Sequence, residues 1–266
     1  MKDFYTNVAV DIDGYGSPKE LLVVGFNDEG RYQSRIPIKD CDLHIFKDDP
    51  TRSSEYRTID GRHVTKHNFA RWRDATQFVR ENQGISNSKL YGIHSKMSAK
   101  NLVDHYINYT WDKEVLYDFT KLTTAVIDIE VAADEGFPSV VDAEKPITAI
   151  AVKVRSQTIV YGCGDFTPKE TNHHYAKCTD EKHLLLKFLD DWEKLKVDII
   201  TGWNCELFDV PYIVNRMFNV LGEKEIFRLS PWHIVEEGRL SKFAKVPGPG
   251  QFPNPRNSAA AAAALS

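Results

Sequence analysis

An acidic pair inside an apolar, β-branched run constrains this chain more than any other feature. Residues 123–131 read TTAVIDIEV and include Asp128 and Glu130. This composition predicts a buried central strand. Residues two apart share one face of a strand, so both carboxylates point the same way. Like charges in a buried place must be paired, protonated or bound to cations. The alternative is a solvated face or a sheet edge, where the pair needs no ligand.

A second acidic motif lies between a predicted strand and a predicted helix. Residues 197–203 predict another buried strand, and residues 210–221 predict a helix with Pro211 in its first turn and Gly222 just past its end. Asp209 lies at the junction, and strand ends in such sheets are where ligands usually collect. A plain N-cap would also explain Asp209, because aspartate is favoured directly before a helix.

Together the three carboxylates suit hard divalent cations. Mg²⁺ takes one or two carboxylates together with waters and substrate phosphates. Two such ions, about 4 Å apart, can hold the attacking and leaving oxygens of a phosphodiester. The net charge of the chain is −4, whereas proteins that bind DNA through charge alone usually have a basic excess. Bound cations would let an acidic chain meet nucleic acid, because they cancel the carboxylates locally.

The first 118 residues predict an α+β domain. Two hairpins are indicated, one around the turn at residues 27–30 and one around Asp60-Gly61. A helix follows, with Asn68 as its cap and Gly84 as its stop. No metal-ligand or nucleophile spacing occurs in this region, so a binding or scaffolding role is expected.

Residues 119–239 predict an α/β domain with a mixed sheet covered by helices. The further elements are strands at residues 147–154 and 158–161 and an amphipathic helix at residues 180–196, capped by Thr179. Residues 240–266 contain a Pro-Gly-rich stretch and six consecutive alanines. They predict a disordered tail outside the fold.

Composition also narrows the class of protein. No run of 18 or more apolar residues occurs, so we expect no membrane span. The N-terminus lacks the pattern of a signal peptide, and we therefore expect a cytoplasmic protein. The four cysteines form no CxxC pair, which argues against a structural zinc site.

The acidic motifs resemble those of the family B DNA polymerases. VIDIE at residues 126–130 is similar to their first exonuclease motif, Asp-x-Glu, and NCELFD at residues 204–209 to the second, Asn-x-x-x-(Phe/Tyr)-Asp. The similarity is collinear over about residues 1–237, and it is notable for the polymerases of T-even-like bacteriophages and cyanophages. It includes YRTIDG at residues 56–61 and TGWN at residues 201–204.

The resemblance implies roles for five residues. Asp128, Glu130 and Asp209 would be catalytic metal ligands of a DEDD-type, RNase H-like exonuclease that uses two Mg²⁺ or Mn²⁺ ions. Asn204 and Phe208 would shape the pocket for a single-stranded 3′ end.

The resemblance also implies the organisation of the chain. Residues 1–118 would be the N-terminal domain of a phage polymerase, and residues 119–239 part of its 3′→5′ exonuclease domain, followed by the tail at residues 240–266. The implied enzyme is a nucleotidyltransferase of DNA replication in the cytoplasm of the infected host. Its partners would be primer-template DNA, the missing C-terminal polymerase part and, through that part, a sliding clamp.

One part of the family pattern does not occur. The third exonuclease motif, Tyr-x-x-x-Asp, should supply a last carboxylate, but no aspartate follows Asp209. We therefore expect a fragment that is inactive alone. The alternatives are a non-catalytic subunit of a split polymerase that binds nucleic acid or a partner and, less favoured, a small stand-alone nuclease.

Overall fold

A computed structural model describes residues 3–82, 89–92, 99–111, 113–132, 136 and 138–234. The chain divides into two compact units, Met1–Asp118 and Phe119–Ser266. The expected stop at Gly84 and the expected tail at residues 240–266 lie outside the described residues.

In its described part, the first unit has two antiparallel sheets and two helices. The strands are β1 (Phe4–Ile12), β2 (Pro18–Asn27), β3 (Gly30–Pro37), β4 (His44–Asp48), β5 (Val64–Asn68) and β6 (Leu90–Gly92), and the helices are α1 (Trp72–Asn82) and α2 (Ala99–Thr110). The strand orders are β1-β2-β3 and β5-β4-β6. One buried cluster joins β2, α1 and α2 through Leu21, Val23, Ala75, Val79 and Leu102, because each element turns an apolar face inward.

The structure tests three local predictions in this unit. The turn at residues 27–30 is confirmed, since it closes the β2–β3 hairpin. The Asp60-Gly61 turn forms, with Gly61 at φ +82°, but between its flanks there is only a single bridge, from Arg57 to His63. The prediction that Asn68 caps the helix was wrong. Asn68 pairs with β4 at the end of β5, and α1 begins four residues later.

The second unit, where described, is a five-stranded mixed sheet with helices. Its elements are β7 (Thr124–Val131), β8 (Ile147–Val154), β9 (Gln157–Gly162), β10 (His173–Lys177), α3 (Glu181–Leu195), β11 (Ile199–Thr201), α4 (Asp209–Leu221) and α5 (Glu223–Ile226). The order is β10-β9-β8-β7-β11. The three middle strands are antiparallel, and each edge strand runs parallel to its neighbour. The predictions for β7, β8, β9, α3 and α4 are confirmed to within a few residues at each end.

The core of this unit lies on one face of the sheet. Alternate residues of β7, namely Ala125, Ile127 and Ile129, are buried in one cluster with the apolar faces of α3 and α4. Gly222 ends α4 at φ +89°, as predicted. Among the described residues, no helix is long and apolar enough to cross a membrane.

Two predictions in this unit were wrong in detail. Asp180, not Thr179, caps α3, because its carboxylate accepts the His183 N–H at 2.8 Å. The strand expected at residues 197–203 is only the three-residue β11. It lies at the sheet edge, and Ile199 is 42% exposed. An edge position leaves one side of the strand to solvent, so an apolar sequence alone does not make it a buried strand.

A pair of buried histidines lies in the first unit. His44 Nδ1 and His105 Nε2 approach the Asp42 carbonyl oxygen at 2.6 and 3.1 Å. Both rings contact Tyr109, and His44 Nε2 has no hydrogen-bond partner in the described part of the chain. Burial lowers the pKa of both imidazoles, and the positive charge of Lys66 lowers the pKa of His44 and His105 further.

We expect the chain to lose stability as the pH falls below about 6.5, the ordinary pKa of histidine. The unfolded imidazoles bind protons at a higher pH than the folded ones, so acidification favours the unfolded state. Urea unfolding at pH 7.5 and 5.5 should give a decrease of about 2 kcal/mol. His44→Gln should reduce that dependence, whereas His174→Gln, at an exposed site, should leave it unchanged. Equal pH dependence in all three proteins would contradict this prediction.

Candidate active site

The acidic pair lies on the solvent-facing side of β7. Asp128 and Glu130 are exposed, while Ile127 and Ile129 between and beside them are buried. The two carboxylates share a face, as predicted. The expectation of a buried pair was wrong, because the buried cluster of this unit receives the other face of β7. The pair therefore lies on the solvent-facing side of a sheet whose other side is packed.

Asp209 has a different position. It is only 4% exposed, and its Oδ1 accepts the Ile129 backbone N–H at 2.9 Å. The N-cap interpretation was wrong: Phe208 is the cap residue of α4 and makes no side-chain cap bond. Since β11 ends at Thr201, which pairs with Val126, the N–H of Ile129 lies beyond the last partner residue of β11. The Asp209 carboxylate provides the acceptor there.

The three carboxylates influence one another electrostatically. Burial raises the pKa of Asp209, and the negative charges of Asp128 and Glu130 raise it further. The Ile129 N–H opposes this effect, because it stabilises the ionised form. A buried carboxylate beside two others is therefore a place where a cation would lower the electrostatic free energy.

The donor set can be compared with what a divalent metal requires. Carboxylate oxygens are the ligands that Mg²⁺ and Mn²⁺ prefer, so the chemistry of Asp128, Glu130 and Asp209 fits such an ion. Their spacing does not yet match that of a metal site. Within the described residues, no group of three His, Cys, Asp or Glu side chains is arranged to hold a metal. The structure thus brings the predicted ligands to one end of β7 without closing a coordination sphere.

The loop between β11 and α4 passes close to β7. A Cβ atom on Gly202 would lie 2.4 Å from the Ile127 carbonyl oxygen, so only glycine permits this approach. Asn204 has a left-handed backbone, with φ +54°. Its carbonyl oxygen accepts the N–H groups of Leu207 and Phe208, each at 3.0 Å. The loop is therefore a compact turn that ends at the N-terminus of α4.

A cleft of about 360 Å³ opens beside this loop. It is lined by Ile200, Thr201, Gly202, Asn204, Cys205, Glu206, Leu207 and Val210. The predicted pocket residue Asn204 is exposed and lines the cleft. Phe208 does not line it, since its ring lies 5.4 Å from that of Tyr212 and packs against the core.

Two exposed apolar side chains beside the cleft were missed from the sequence. Trp203 is 92% exposed and Leu207 is 49% exposed. The sequence could have predicted their exposure. Apolar residues in a short loop between a strand and a helix N-terminus reach no core unless the loop folds back.

Comparison with known proteins decides the family. Residues 71–246 match the family described as DNA polymerase family B, exonuclease domain. The chain belongs to this family. Its match begins inside the first unit and covers the described residues of the second.

Individual relatives agree with this assignment. The chain is 31% identical over 209 residues to the DNA-directed DNA polymerase of Escherichia phage RB69, and 30% identical over 206 residues to that of Enterobacteria phage T4. These alignments cover 68% and 67% of the chain, but 22% of each relative. A DNA polymerase delta catalytic subunit from Caenorhabditis elegans is 31% identical over 132 residues, 47% of the chain and 12% of the relative. The chain therefore spans about a fifth of the length of the two phage relatives.

The fold of the second unit agrees with the family B exonuclease domain, which is RNase H-like. The strands β7, β8 and β9 are antiparallel, β11 runs parallel beside β7, and helices cover one face of the sheet. The acidic strand β7 therefore lies next to β11, the strand that leads to Asp209. In this arrangement Asp209 is 80 residues beyond Ile129, the residue whose N–H it accepts.

Asp209 gives a stability prediction. Asp209→Asn should raise the free energy of unfolding at pH 7 by about 1 kcal/mol, because it keeps an acceptor for the Ile129 N–H and removes a buried charge near two others. Asp209→Ala should lower it by about 1–3 kcal/mol, because the buried N–H then loses its partner. Both are measured by urea unfolding without divalent cations. A destabilising Asp209→Asn would contradict the prediction.

Proposed function

We propose that this chain forms part of the 3′→5′ proofreading exonuclease of a phage DNA-directed DNA polymerase. The observation that supports the proposal best is the position of Asp209, which is bonded to the residue between Asp128 and Glu130. Membership of the family B exonuclease domains adds the expected chemistry, hydrolysis of a DNA phosphodiester at a single-stranded 3′ end.

In this proposal the three carboxylates share the work of metal binding. Asp128 and Glu130, exposed on one face of β7, would hold divalent cations toward solvent and substrate, and Asp209 would hold them from the buried side. The cations, Mg²⁺ or Mn²⁺, would activate water and stabilise the leaving 3′ oxygen. The negative charges that raise the pKa of Asp209 would then be balanced by the ions.

The loop that leads to Asp209 would bind the DNA end. Asn204 lines the cleft and offers an amide for hydrogen bonds to the terminal nucleotide. Phe208 would act from within the core, by fixing the loop that presents Asn204. Unpaired bases are generally held on aromatic side chains, and exposed Trp203 is available for that contact.

The proposal also concerns the rest of the polymerase. Residues 1–118 would be its N-terminal domain and residues 119–239 part of its exonuclease domain. In this proposal the remaining polymerase would supply the fourth carboxylate of the site. The chain alone would then be nearly inactive, and its partners would be primer-template DNA, the remaining polymerase and a sliding clamp bound through it.

The second candidate is a non-catalytic subunit of a split polymerase that binds nucleic acid or a partner. One observation favours it: the described carboxylates do not form a closed three-ligand metal group. In that case the acidic pair would be a solvated surface feature without a role in hydrolysis.

An exonuclease assay separates the two candidates. With Mg²⁺ and a 5′-labelled single-stranded oligonucleotide, the chain alone should degrade the 3′ end slowly or not at all. Addition of the C-terminal polymerase part that the proposal requires should restore 3′→5′ degradation. Asp128→Ala should reduce the restored rate by about a hundredfold or more, because the metal-held water is lost.

Asp165→Ala is the matched control, since Asp165 is an exposed aspartate of the same unit paired with Lys177. It should degrade DNA like the unmodified chain. Restored degradation that is indifferent to both Asp128→Ala and Asp209→Ala would favour the non-catalytic subunit. Rapid degradation by the chain alone, lost in Asp128→Ala, would instead indicate a complete nuclease.

A further inference from the structure

We propose that Thr148 is a positioning residue for Glu130. It is the extra residue of a β-bulge between β7 and β8, and its hydroxyl group holds the Glu130 backbone. Through that backbone, Thr148 sets the direction in which the Glu130 carboxylate meets a divalent cation. This inference rests on the proposed function, because it concerns a ligand of the same metal site.

The register of the two strands changes directly beside the acidic pair. Glu130 lies opposite Ala149, but the next residue, Val131, lies opposite Ile147. Strand β8 therefore places three residues against two of β7, and Thr148 is the extra one. Bulges of this kind bend a strand, and they are frequent beside active sites, where they change the direction of a side chain.

The burial of the β8 side chains follows the bulge. Ile147 and Ile150 are buried in the core. Between them, Thr148 is exposed and Ala149 is half-buried. A regular strand would alternate between the two faces, so the bulge is what turns Thr148 away from the core. Thr148 then lies on the open side of the sheet, which is also the side of Glu130.

On that side, the hydroxyl group of Thr148 contacts Glu130 directly. Thr148 Oγ1 donates to the Glu130 carbonyl oxygen at 3.1 Å. Backbone bonding continues beyond the bulge, where the Ala132 N–H donates to the Pro146 carbonyl oxygen at 3.0 Å. The bulge thus lies between two stretches of bonded backbone, and the hydroxyl group connects its extra residue to the acidic strand.

The residue before Thr148 is anchored to the helices. Glu181 Oε1 accepts the Ile147 N–H at 2.6 Å. The same carboxylate accepts hydrogen bonds from Arg216 Nη2 and Nε at 2.6 and 2.8 Å, and both side chains are less than a fifth exposed. A bidentate pair fixes orientation as well as distance. The start of the bulge therefore has a fixed position against the core.

The neighbours of the acidic pair on β8 make the backbone of Glu130 important. The residues of β8 opposite Asp128 and Glu130 are both alanines, Ala151 and Ala149. Methyl groups donate no hydrogen bond, so these cross-strand partners cannot orient a carboxylate. The direction of the Glu130 side chain therefore depends on its own backbone, which Thr148 holds. Groups that orient a ligand contribute to metal affinity although they never contact the metal.

Binding of Mn²⁺ to the full chain, measured by electron paramagnetic resonance, tests the positioning role. Thr148→Val keeps the branched side chain and removes the hydroxyl group, while Thr148→Ser keeps the hydroxyl group. Thr158→Val is the matched control, because Thr158 lies on β9, which β8 separates from β7. We expect Thr148→Val to raise the Kd about fivefold, which corresponds to one hydrogen bond. The other two variants should bind Mn²⁺ like the unmodified chain.

A double-mutant cycle with Glu130→Gln separates positioning from a general effect on the fold. Since Thr148 acts through Glu130, Thr148→Val should raise the Kd in the unmodified chain and leave it unchanged in the Glu130→Gln background. In the metal-free chain, the Ala132 N–H should exchange with solvent faster in Thr148→Val than in Thr148→Ser, because the bulge is then held less tightly.

The possible failures are distinguishable. Equal effects of Thr148→Val with and without Glu130→Gln would overturn the inference and make Thr148 a structural residue. Unchanged Mn²⁺ affinity in Thr148→Val, while Glu130→Gln binds more weakly, would also overturn it and would leave the proposed function intact. Mn²⁺ affinity that is indifferent to both Glu130→Gln and Asp128→Ala would contradict the proposed function, and the positioning role with it.

Discussion

The hydrogen bond from the Ile129 N–H to the Asp209 carboxylate is the interaction on which the rest of the second unit depends. It fills the position on β7 beyond the end of β11, where a buried N–H would otherwise lack an acceptor. Both partners are costly to leave unsatisfied. The bond fixes the first turn of α4 against the acidic strand, and it therefore determines where the cleft, the loop and the third carboxylate lie.

This arrangement keeps a destabilising group, the Asp209 carboxylate, inside the fold. Asp209 is buried beside Asp128 and Glu130, and burial raises its pKa. The core formed by β7, α3 and α4 and the ion pair between Arg216 and Glu181 offset that cost. Strained or repelling groups that a rigid scaffold holds in place are common at functional sites.

The helices and strands of this unit could be predicted because the spacing of their apolar residues is visible in short stretches of sequence. The alternation of β7 and the apolar stripe of α3 are visible within a few residues.

The solvent exposure of Asp128 and Glu130 was not predictable in the same way. The carboxylates of β7 share a face, but only the packing of α3 and α4 decides that this face is the open one. The hydrogen-bonding role of Asp209 could not be predicted from the sequence either. An aspartate is equally suited to cap a helix and to accept a strand N–H. Asn68 and Thr179 show the same limit. Asn68 is still paired in β5, and Asp180, next to Thr179, accepts the His183 N–H instead.

Binding of Mn²⁺, measured by electron paramagnetic resonance, tests most directly whether Asp128, Glu130 and Asp209 form one site. The unmodified chain should bind Mn²⁺ with a Kd that rises about tenfold or more in Asp128→Ala and again in Asp209→Ala, because each removes a charged ligand. Asp165→Ala should leave the Kd unchanged. Equal Mn²⁺ affinity in all four proteins would contradict the assignment of these carboxylates to a shared metal site.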